Sequence, residues 1–154
     1  MSDARVTVEE TIYRAGLLLD AHDFEGFLAL CAPEFRYAIE AYSPEIRRVM
    51  TWLDHDKDEL AALFRTLSRH NSDHAPLSRH LTVYTVAFGA EGRQAEVVSA
   101  LQVFRTTLDG GATALFAVGK IHDTVVIEGG QARLHRRTIK LDTRLLGIGS
   151  HIPF

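Results

Sequence analysis

The chain has 154 residues, of which 46% are hydrophobic and 24% are charged, as in ordinary globular domains. A net charge of −3 gives no basic excess for binding nucleic acid, and no apolar run approaches the roughly 20 residues that span a membrane. The acidic start MSDARVTVEET is no signal peptide and the single cysteine excludes an internal disulfide, so we expect one cytoplasmic domain over residues 1–154.

The N-terminal segment predicts two helices. Thr7 and Glu10 have the spacing of a capping box, which predicts that the first helix starts at Val8. Asp23 can cap a second, short helix, and Pro33 is expected to end it, because proline cannot continue a helix.

The next segment predicts a strand and a third helix. The alternating, aromatic sequence FRYAIE at 35–40 is typical of a short strand, whereas residues 41–53 fit no single pattern. Asp56 and Glu59 form another capping box, which predicts the start of the third helix.

The second half of the chain changes from helical to alternating periodicity. Gly119, in mid-strand, is where we expect the sheet to bend. Gly-containing turns separate consecutive strands, which predicts antiparallel neighbours. Helices followed by such a meander predict an α+β fold, with a curved antiparallel sheet wrapped around the N-terminal helices. The predicted strands are 78–89, 94–108, 113–128 and 131–143.

The stretch HNSDHAPLSRH, residues 70–80, suggests a metal site. His70 and His74 are four residues apart, Asp73 lies between them and His80 follows. Two histidines and a carboxylate form the ligand set of non-heme Fe(II) centres. The intervening Asn, Ser and Pro residues are loop formers, however, and they favour a polar loop whose side chains make hydrogen bonds to a partner.

Other catalytic motifs are weak. Asp54, His55 and Asp56 could form an acid/base pair, but acids at a helix N-terminus have a simpler role in capping. Gly147 and Gly149 resemble the start of a dinucleotide fingerprint, yet no room for a helix follows them. One cysteine cannot form a Rieske cluster or a zinc ribbon.

Three polar residues could line a pocket inside a curved sheet, namely Tyr37, Asp123 and His135. Asp123 lies on an otherwise apolar strand face. It is either a catalytic acid whose pKa is tuned by burial or a structural acid paired with an arginine of the next strand. We favour the pairing, for which the candidates are Arg133, Arg136 and Arg137.

The element order resembles the cone-shaped α+β fold of nuclear-transport-factor-2-like proteins. Five segments carry a closer likeness: LLLDAHDFEGFLALCAPEFRY at 17–37, MTWLDHDKDEL at 50–60, SRH at 78–80, VFRT at 103–106 and RRTIKLDT at 136–143. In these segments the sequence resembles the small (beta) subunits of aromatic-ring-hydroxylating dioxygenases, which belong to that superfamily. Phe27 stands where that family commonly has Trp, and Glu34 where Asp is frequent.

This resemblance implies a structural subunit without catalytic, cofactor or metal residues. The Rieske [2Fe–2S] cluster and the mononuclear Fe(II) are expected in a separate alpha subunit, within an alpha3beta3 hexamer. A ferredoxin and a reductase would supply electrons that come ultimately from NAD(P)H. The substrate class stays open and includes aromatic acids, hydrocarbons and small sulfonates. Under this interpretation the loop at 70–80 contacts a subunit, through His70, Asp73, His74 and Arg79.

The alternative is a stand-alone dehydratase or isomerase of the same superfamily. It requires Tyr37, Asp123 and one of His55, His80 or His135 to converge on one pocket. The apolar end of GIGSHIPF, residues 147–154, is expected to tuck either into a partner or into the cone itself.

Overall fold

The computed structural model describes residues 2–70, 75–144 and 154. Three helices and six strands make up the chain there, with a single 3-10 turn at Ala90–Gly92. The helices are α1 (Ser2–Asp20), α2 (Phe24–Ala29) and α3 (Lys57–His70). The strands are β1 (Cys31–Ser43), β2 (Arg48–Asp56), β3 (Leu77–Phe88), β4 (Gln94–Thr106), β5 (Thr113–Glu128) and β6 (Gln131–Leu141).

All six strands form one sheet in the order β2-β1-β6-β5-β4-β3. The pairs from β3 to β6 are antiparallel, as the meander predicts, whereas β1 lies parallel to β6. The helices contact the sheet on its apolar face: α1 contacts β3 and β6, and α3 contacts β1 and β2. The α+β class is therefore confirmed.

Two of the three predicted helix starts are confirmed by their caps. The Asp23 carboxylate accepts a hydrogen bond from the Gly26 N–H at 2.9 Å. Asp56 and Glu59 form a reciprocal capping box, in which each backbone N–H donates to the other's carboxylate, at 3.0 and 2.8 Å. In the described chain no helix is long and apolar enough to cross a membrane.

The predicted start of α1 at Val8 is wrong, because the helix already begins at Ser2. Thr7 therefore lies inside the helix, where its hydroxyl donates to the Asp3 carbonyl oxygen one turn earlier, at 2.9 Å. Pro33 does not end α2 either. The helix ends at Ala29, and Pro33 lies inside β1.

The ambiguous residues 41–53 form the end of β1, the turn and most of β2. The strand predicted at 35–40 is longer, Cys31–Ser43, and its residues 36–43 pair with β2 as a β-hairpin. A bulge at Trp52 interrupts the alternation in β2, since Ile39 pairs with Leu53 but Glu40 pairs with Thr51. Because this extra residue breaks the alternation of side chains along β2, the sequence pattern of period two does not reveal the strand.

Gly119 has a packing reason to be glycine. A Cβ there would lie 2.4 Å from the Lys140 carbonyl oxygen on the neighbouring strand. The bend expected at Gly119 stays a prediction. So does the single domain over 1–154, because residues 71–74 and 145–153 lie outside the described chain.

Candidate functional site

A buried ion pair lies inside the sheet. Asp123 on β5 stands opposite Arg137 on β6, and both carboxylate oxygens accept hydrogen bonds from the guanidinium, at 2.8 and 3.0 Å. The two side chains are 0% and 1% exposed. Burial raises the pKa of Asp123, and the positive charge of Arg137 opposes that rise. The favoured pairing is thus confirmed, with Arg137 as the partner, and both carboxylate oxygens are held by its guanidinium away from solvent.

Tyr37 is equally committed. Its fully buried hydroxyl donates to the Phe154 backbone oxygen at 3.0 Å and accepts from the Phe154 N–H at 2.6 Å. Burial raises the pKa of this phenol well above its usual range, so it stays neutral at any physiological pH. Phe154 itself is 1% exposed, which places this residue in the chain's own core.

The strand register places these groups in one line across the sheet. His55 pairs with Tyr37, Tyr37 pairs with Arg137, and Arg137 pairs with Asp123, on β2, β1, β6 and β5 in turn. We call these four residues the polar row. The histidine is half-buried, and its Nδ1 lies 3.7 Å from the Glu59 carboxylate.

The other two candidate histidines lie elsewhere. His80 is exposed, shares a hydrogen bond with the Ser78 hydroxyl at 3.1 Å and packs edge-on against Phe104. His135 is the extra residue of a bulge in β6 and lines a surface pocket of about 480 Å³ together with Glu34. The register lines up His55, Tyr37 and Asp123, but Asp123 is blocked by its pairing with Arg137 and Tyr37 by its hydrogen bonds to Phe154. The convergence on one open pocket that the stand-alone enzyme requires is therefore not met by these residues, and His80 and His135 lie elsewhere.

Arg79 ties α1 to the edge strand β3. Its guanidinium is 2% exposed and donates to the Asp20 carboxylate at 2.7 Å, and its backbone N–H donates to the same carboxylate. The prediction that Arg79 contacts another subunit is not tested by one chain, but its side chain is turned towards Asp20. The His70 side chain, Asp73 and His74 lie outside the described residues.

The described ranges contain no group of three His, Cys, Asp or Glu residues that could hold a metal ion. Most of the ligand set suggested at 70–80 lies outside those ranges, so that metal hypothesis stays untested. A Rieske cluster does not fit this chain, since it needs two cysteine thiolates and Cys31 is the only cysteine. Burial raises the pKa of Cys31 to about 12, which keeps it a thiol.

Among the exposed large apolar side chains, two surfaces carry several each. One is the β1–β2 hairpin, where Tyr42 and Val49 are paired neighbours. We call its exposed residues the hairpin patch: Tyr42, Ile46, Val49 and Trp52. The other follows one side of α1, with Val6, Tyr13 and Leu17 at helical spacing. Exposed apolar surface of this kind is typical of chains that are covered by a partner.

The polar row was only partly foreseen from the sequence. Tyr37 and Asp123 were singled out by their types, but their line-up with His55 depends on the bulge in β2. Phe154 was expected in either the cone or a partner. No sequence signal linked it to Tyr37.

A family model and two relatives identify the family of this chain. A family model described as ring hydroxylating beta subunit matches residues 14–147. The chain is 48% identical to the methanesulfonate monooxygenase hydroxylase subunit beta of Methylosulfonomonas methylovora, over 98% of this chain and 87% of that one. It is 34% identical to the 2-aminobenzenesulfonate 2,3-dioxygenase subunit beta of an Alcaligenes species, over 96% and 97%.

A solved structure shares the fold at lower identity. It is described as the beta subunit of an aromatic-ring-hydroxylating dioxygenase from Novosphingobium aromaticivorans. The TM-score is 0.83 at 24% identity, covering 98% of this chain and 97% of that one. The cone-shaped nuclear-transport-factor-2-like fold expected from the sequence is thereby confirmed.

Proposed function

The chain belongs to the ring hydroxylating beta subunit family, as a subunit of a multicomponent oxygenase, and from this premise we propose how it works. It assembles with a catalytic alpha subunit that holds the Rieske cluster and the mononuclear Fe(II). The observation that carries this proposal is the family match over residues 14–147 in a chain with one buried cysteine. Iron–sulfur ligation then has to come from another chain.

The role proposed for this chain is structural. Two of the groups that a cone enzyme could use, the Asp123 carboxylate and the Tyr37 hydroxyl, are already hydrogen-bonded to Arg137 and Phe154. The hairpin patch offers apolar surface for a partner to cover. We propose an alpha3beta3 hexamer, located in the cytoplasm, that receives electrons through a ferredoxin and a reductase.

We further propose that the assembly oxidises a small organosulfonate. Both curated relatives named above are subunits of oxygenases named for sulfonates, methanesulfonate and 2-aminobenzenesulfonate. The higher identity, 48% against 34%, favours the methanesulfonate type and hence monooxygenation. Substrate contacts are expected in the alpha subunit, so this chain would not determine which substrate the assembly oxidises.

The test is co-expression of this chain with the alpha subunit from the same host. We expect one complex with Rieske absorption in the visible and oxygen uptake on methanesulfonate once reductant and carriers are added. Oxygen uptake with 2-aminobenzenesulfonate but not with methanesulfonate would contradict the substrate proposal and leave the subunit proposal intact. Failure of the two chains to co-purify would remove the subunit proposal itself.

A matched pair of variants then tests the contact surface. Val49→Asp places a charge in the hairpin patch, and Leu108→Asp does so at the exposed turn between β4 and β5. Burying an unpaired charge at an interface costs several kcal/mol, about 2–5 by analogy with other interfaces. We expect Val49→Asp to weaken assembly and Leu108→Asp to leave it unchanged.

The polar row is the arrangement that the alternative, a stand-alone enzyme, would have to use, although its carboxylate and its phenol are already bonded to Arg137 and Phe154. The row places an imidazole, a phenol, a guanidinium and a carboxylate on neighbouring strands. Activity of the purified single chain on any hydroxylated or keto substrate, lost in Asp123→Asn, would support that second candidate.

A further inference from the structure

Two open pockets adjoin at the turn between β5 and β6. Their volumes are about 480 and 420 Å³, within the range of roughly 300–1,000 Å³ that is usual for small-ligand sites. Gln131 and Arg133 line both pockets, so the two spaces meet at these side chains. We call them together the turn groove, whose charged or titratable residues are Glu10, Arg14, Glu34, Glu128, Arg133 and His135.

The turn and a break in strand pairing form this groove. The Gly-Gly turn at 129–130 has positive φ at both residues, 57° and 77°, as in tight two-residue hairpin turns, and it fixes Glu128 opposite Gln131. On the other side of β6, the four residues 32–35 of β1 stand against the single residue His135. Because β1 turns away from β6 there, space is left open between the two strands.

Two opposite charges face the groove without bonding each other. Val126 pairs with Arg133 and Glu128 pairs with Gln131, so Glu128 and Arg133 are diagonal neighbours across the hairpin. Diagonal residues lie roughly 7–8 Å apart, within reach of long side chains. Within the described ranges, however, neither side chain has a hydrogen bond or an ion pair. Both charges are therefore available to a molecule that lies between them.

Each pocket adds a further charge of its own sign. Glu34 gives the first pocket a second carboxylate, and Arg14 of α1 gives the second pocket a second guanidinium. Neither has a hydrogen bond or an ion pair to any residue that the structure describes. Glu10 also lines the second pocket and His135 the first. Carboxylates thus exceed guanidiniums in the first pocket, and guanidiniums exceed carboxylates in the second.

We propose that the turn groove binds a small zwitterion, in which a short carbon chain joins an ammonium group to a carboxylate or a sulfonate. The oxyanion accepts hydrogen bonds from Arg133 and Arg14, because the planar guanidinium fork matches two oxygens of such a group. The ammonium group donates to the Glu128 and Glu34 carboxylates. This site belongs to one chain and does not rest on the proposed function.

A ligand with a single charge fits the groove less well. An anion held by Arg14 and Arg133 lies beside the Glu10 carboxylate, and a cation held by Glu34 and Glu128 lies beside the Arg133 guanidinium. A zwitterion turns each of its ends towards the opposite charge, so it gains from both pockets at once.

Titration of the full-length chain, followed by ¹⁵N NMR, tests the proposal with taurine and β-alanine as probes. Both carry an ammonium group, and they differ in having a sulfonate or a carboxylate at the other end. We expect at least one of them to shift the backbone amide signals of residues 128–135 saturably, with a Kd on the order of millimolar for so few heavy atoms. Ethanesulfonate and ethylamine, which carry one charge each, should bind several-fold more weakly.

Variants that remove one charge separate this groove from the rest of the surface. Arg133→Gln and Glu128→Gln should each weaken binding of the zwitterion by up to about fivefold, the size of one exposed ion pair. Matched controls are Arg65→Gln on α3 and Glu25→Gln on α2, which should bind as wild type. All four side chains are exposed, so the variants are expected to fold normally.

Either probe supports the proposal, and the one that binds more tightly identifies the preferred oxyanion. Absence of saturable shifts with both probes overturns it. So does binding that is as strong for ethanesulfonate or ethylamine as for the zwitterions, or binding that Arg133→Gln and Glu128→Gln leave unchanged.

Discussion

Replacing Arg137 by methionine should destabilise the protein by about 3–5 kcal/mol at neutral pH, which is typical when one partner of a buried ion pair is removed. Arg137 is 1% exposed and gives Asp123 two hydrogen bonds, so the variant leaves a carboxylate at 0% exposure without its cation. A loss of that size is a large part of the ~5–15 kcal/mol that stabilises an ordinary domain.

The penalty should depend on pH. Arg137→Met removes the two largest influences that oppose the effect of burial on the pKa of Asp123, the charge and the hydrogen bonds of the guanidinium, so that pKa rises further. Since the folded state then binds this proton more tightly than the unfolded state, stability falls as pH rises from the usual Asp value through the raised one. The difference from wild type should be largest at neutral pH and smaller towards pH 4.

Urea denaturation followed by circular dichroism measures both effects. The control is Arg36→Met, which breaks the Arg36–Asp54 pair of the same 2.8 Å geometry, in which both side chains are nearly half exposed. An exposed pair contributes about 0–1 kcal/mol, so this control should unfold close to wild type.

The double variant Asp123→Leu/Arg137→Met shows whether the cost comes from the unpaired charge. Replacing a whole buried pair by apolar side chains is often neutral or stabilising by about 1–4 kcal/mol, so most of the loss should be recovered. The reasoning is refuted if Arg137→Met unfolds within about 1 kcal/mol of wild type, or if the double variant is no more stable than the single one.

Three further predictions follow from buried or half-buried groups. Cys31, whose pKa burial raises to about 12, should resist a disulfide reagent at pH 8 until the protein is unfolded, and rapid labelling of native protein would contradict this. Burial and the nearby Lys140 lower the pKa of His122, so Lys140→Gln should raise it towards 6.5 in an NMR titration, whereas an unchanged value would exclude the lysine as a cause. Asp20→Asn removes the negative charge that faces the buried Arg79, and it should cost about 1–3 kcal/mol in urea unfolding; a cost near zero would be inconsistent with the contact.

Local signals predicted those parts of the fold that depend on neighbours in sequence. The caps at Asp23 and at Asp56 with Glu59 involve residues three apart, and the alternation of β3 to β6 follows from burial of one face. The hairpin of β1 and β2 was missed because the bulge at Trp52 shifts the alternation by one. The parallel pairing of β1 with β6 joins residues about 100 positions apart, as in Tyr37 and Arg137, and no local pattern records it.

The candidate site depends on that long-range pairing. The pairing of Asp123 with an arginine of the next strand could be expected from the sequence, because β5 and β6 form a hairpin whose register places their residues opposite one another. The position of His55 beside Tyr37 requires the bulge, and the contact of Tyr37 with Phe154 spans 117 residues. Such contacts depend on the folded core and not on any motif, which is why residue type suggested the members of the polar row but not their arrangement.

The central claim is that this chain is one subunit of an iron-dependent oxygenase, and purification from its own host tests it most directly. A mild affinity pull-down of the tagged chain, followed by an absorption spectrum, should yield a larger second chain and the visible absorption of a Rieske cluster. A colourless protein that elutes alone, at every salt concentration tried, would contradict the account.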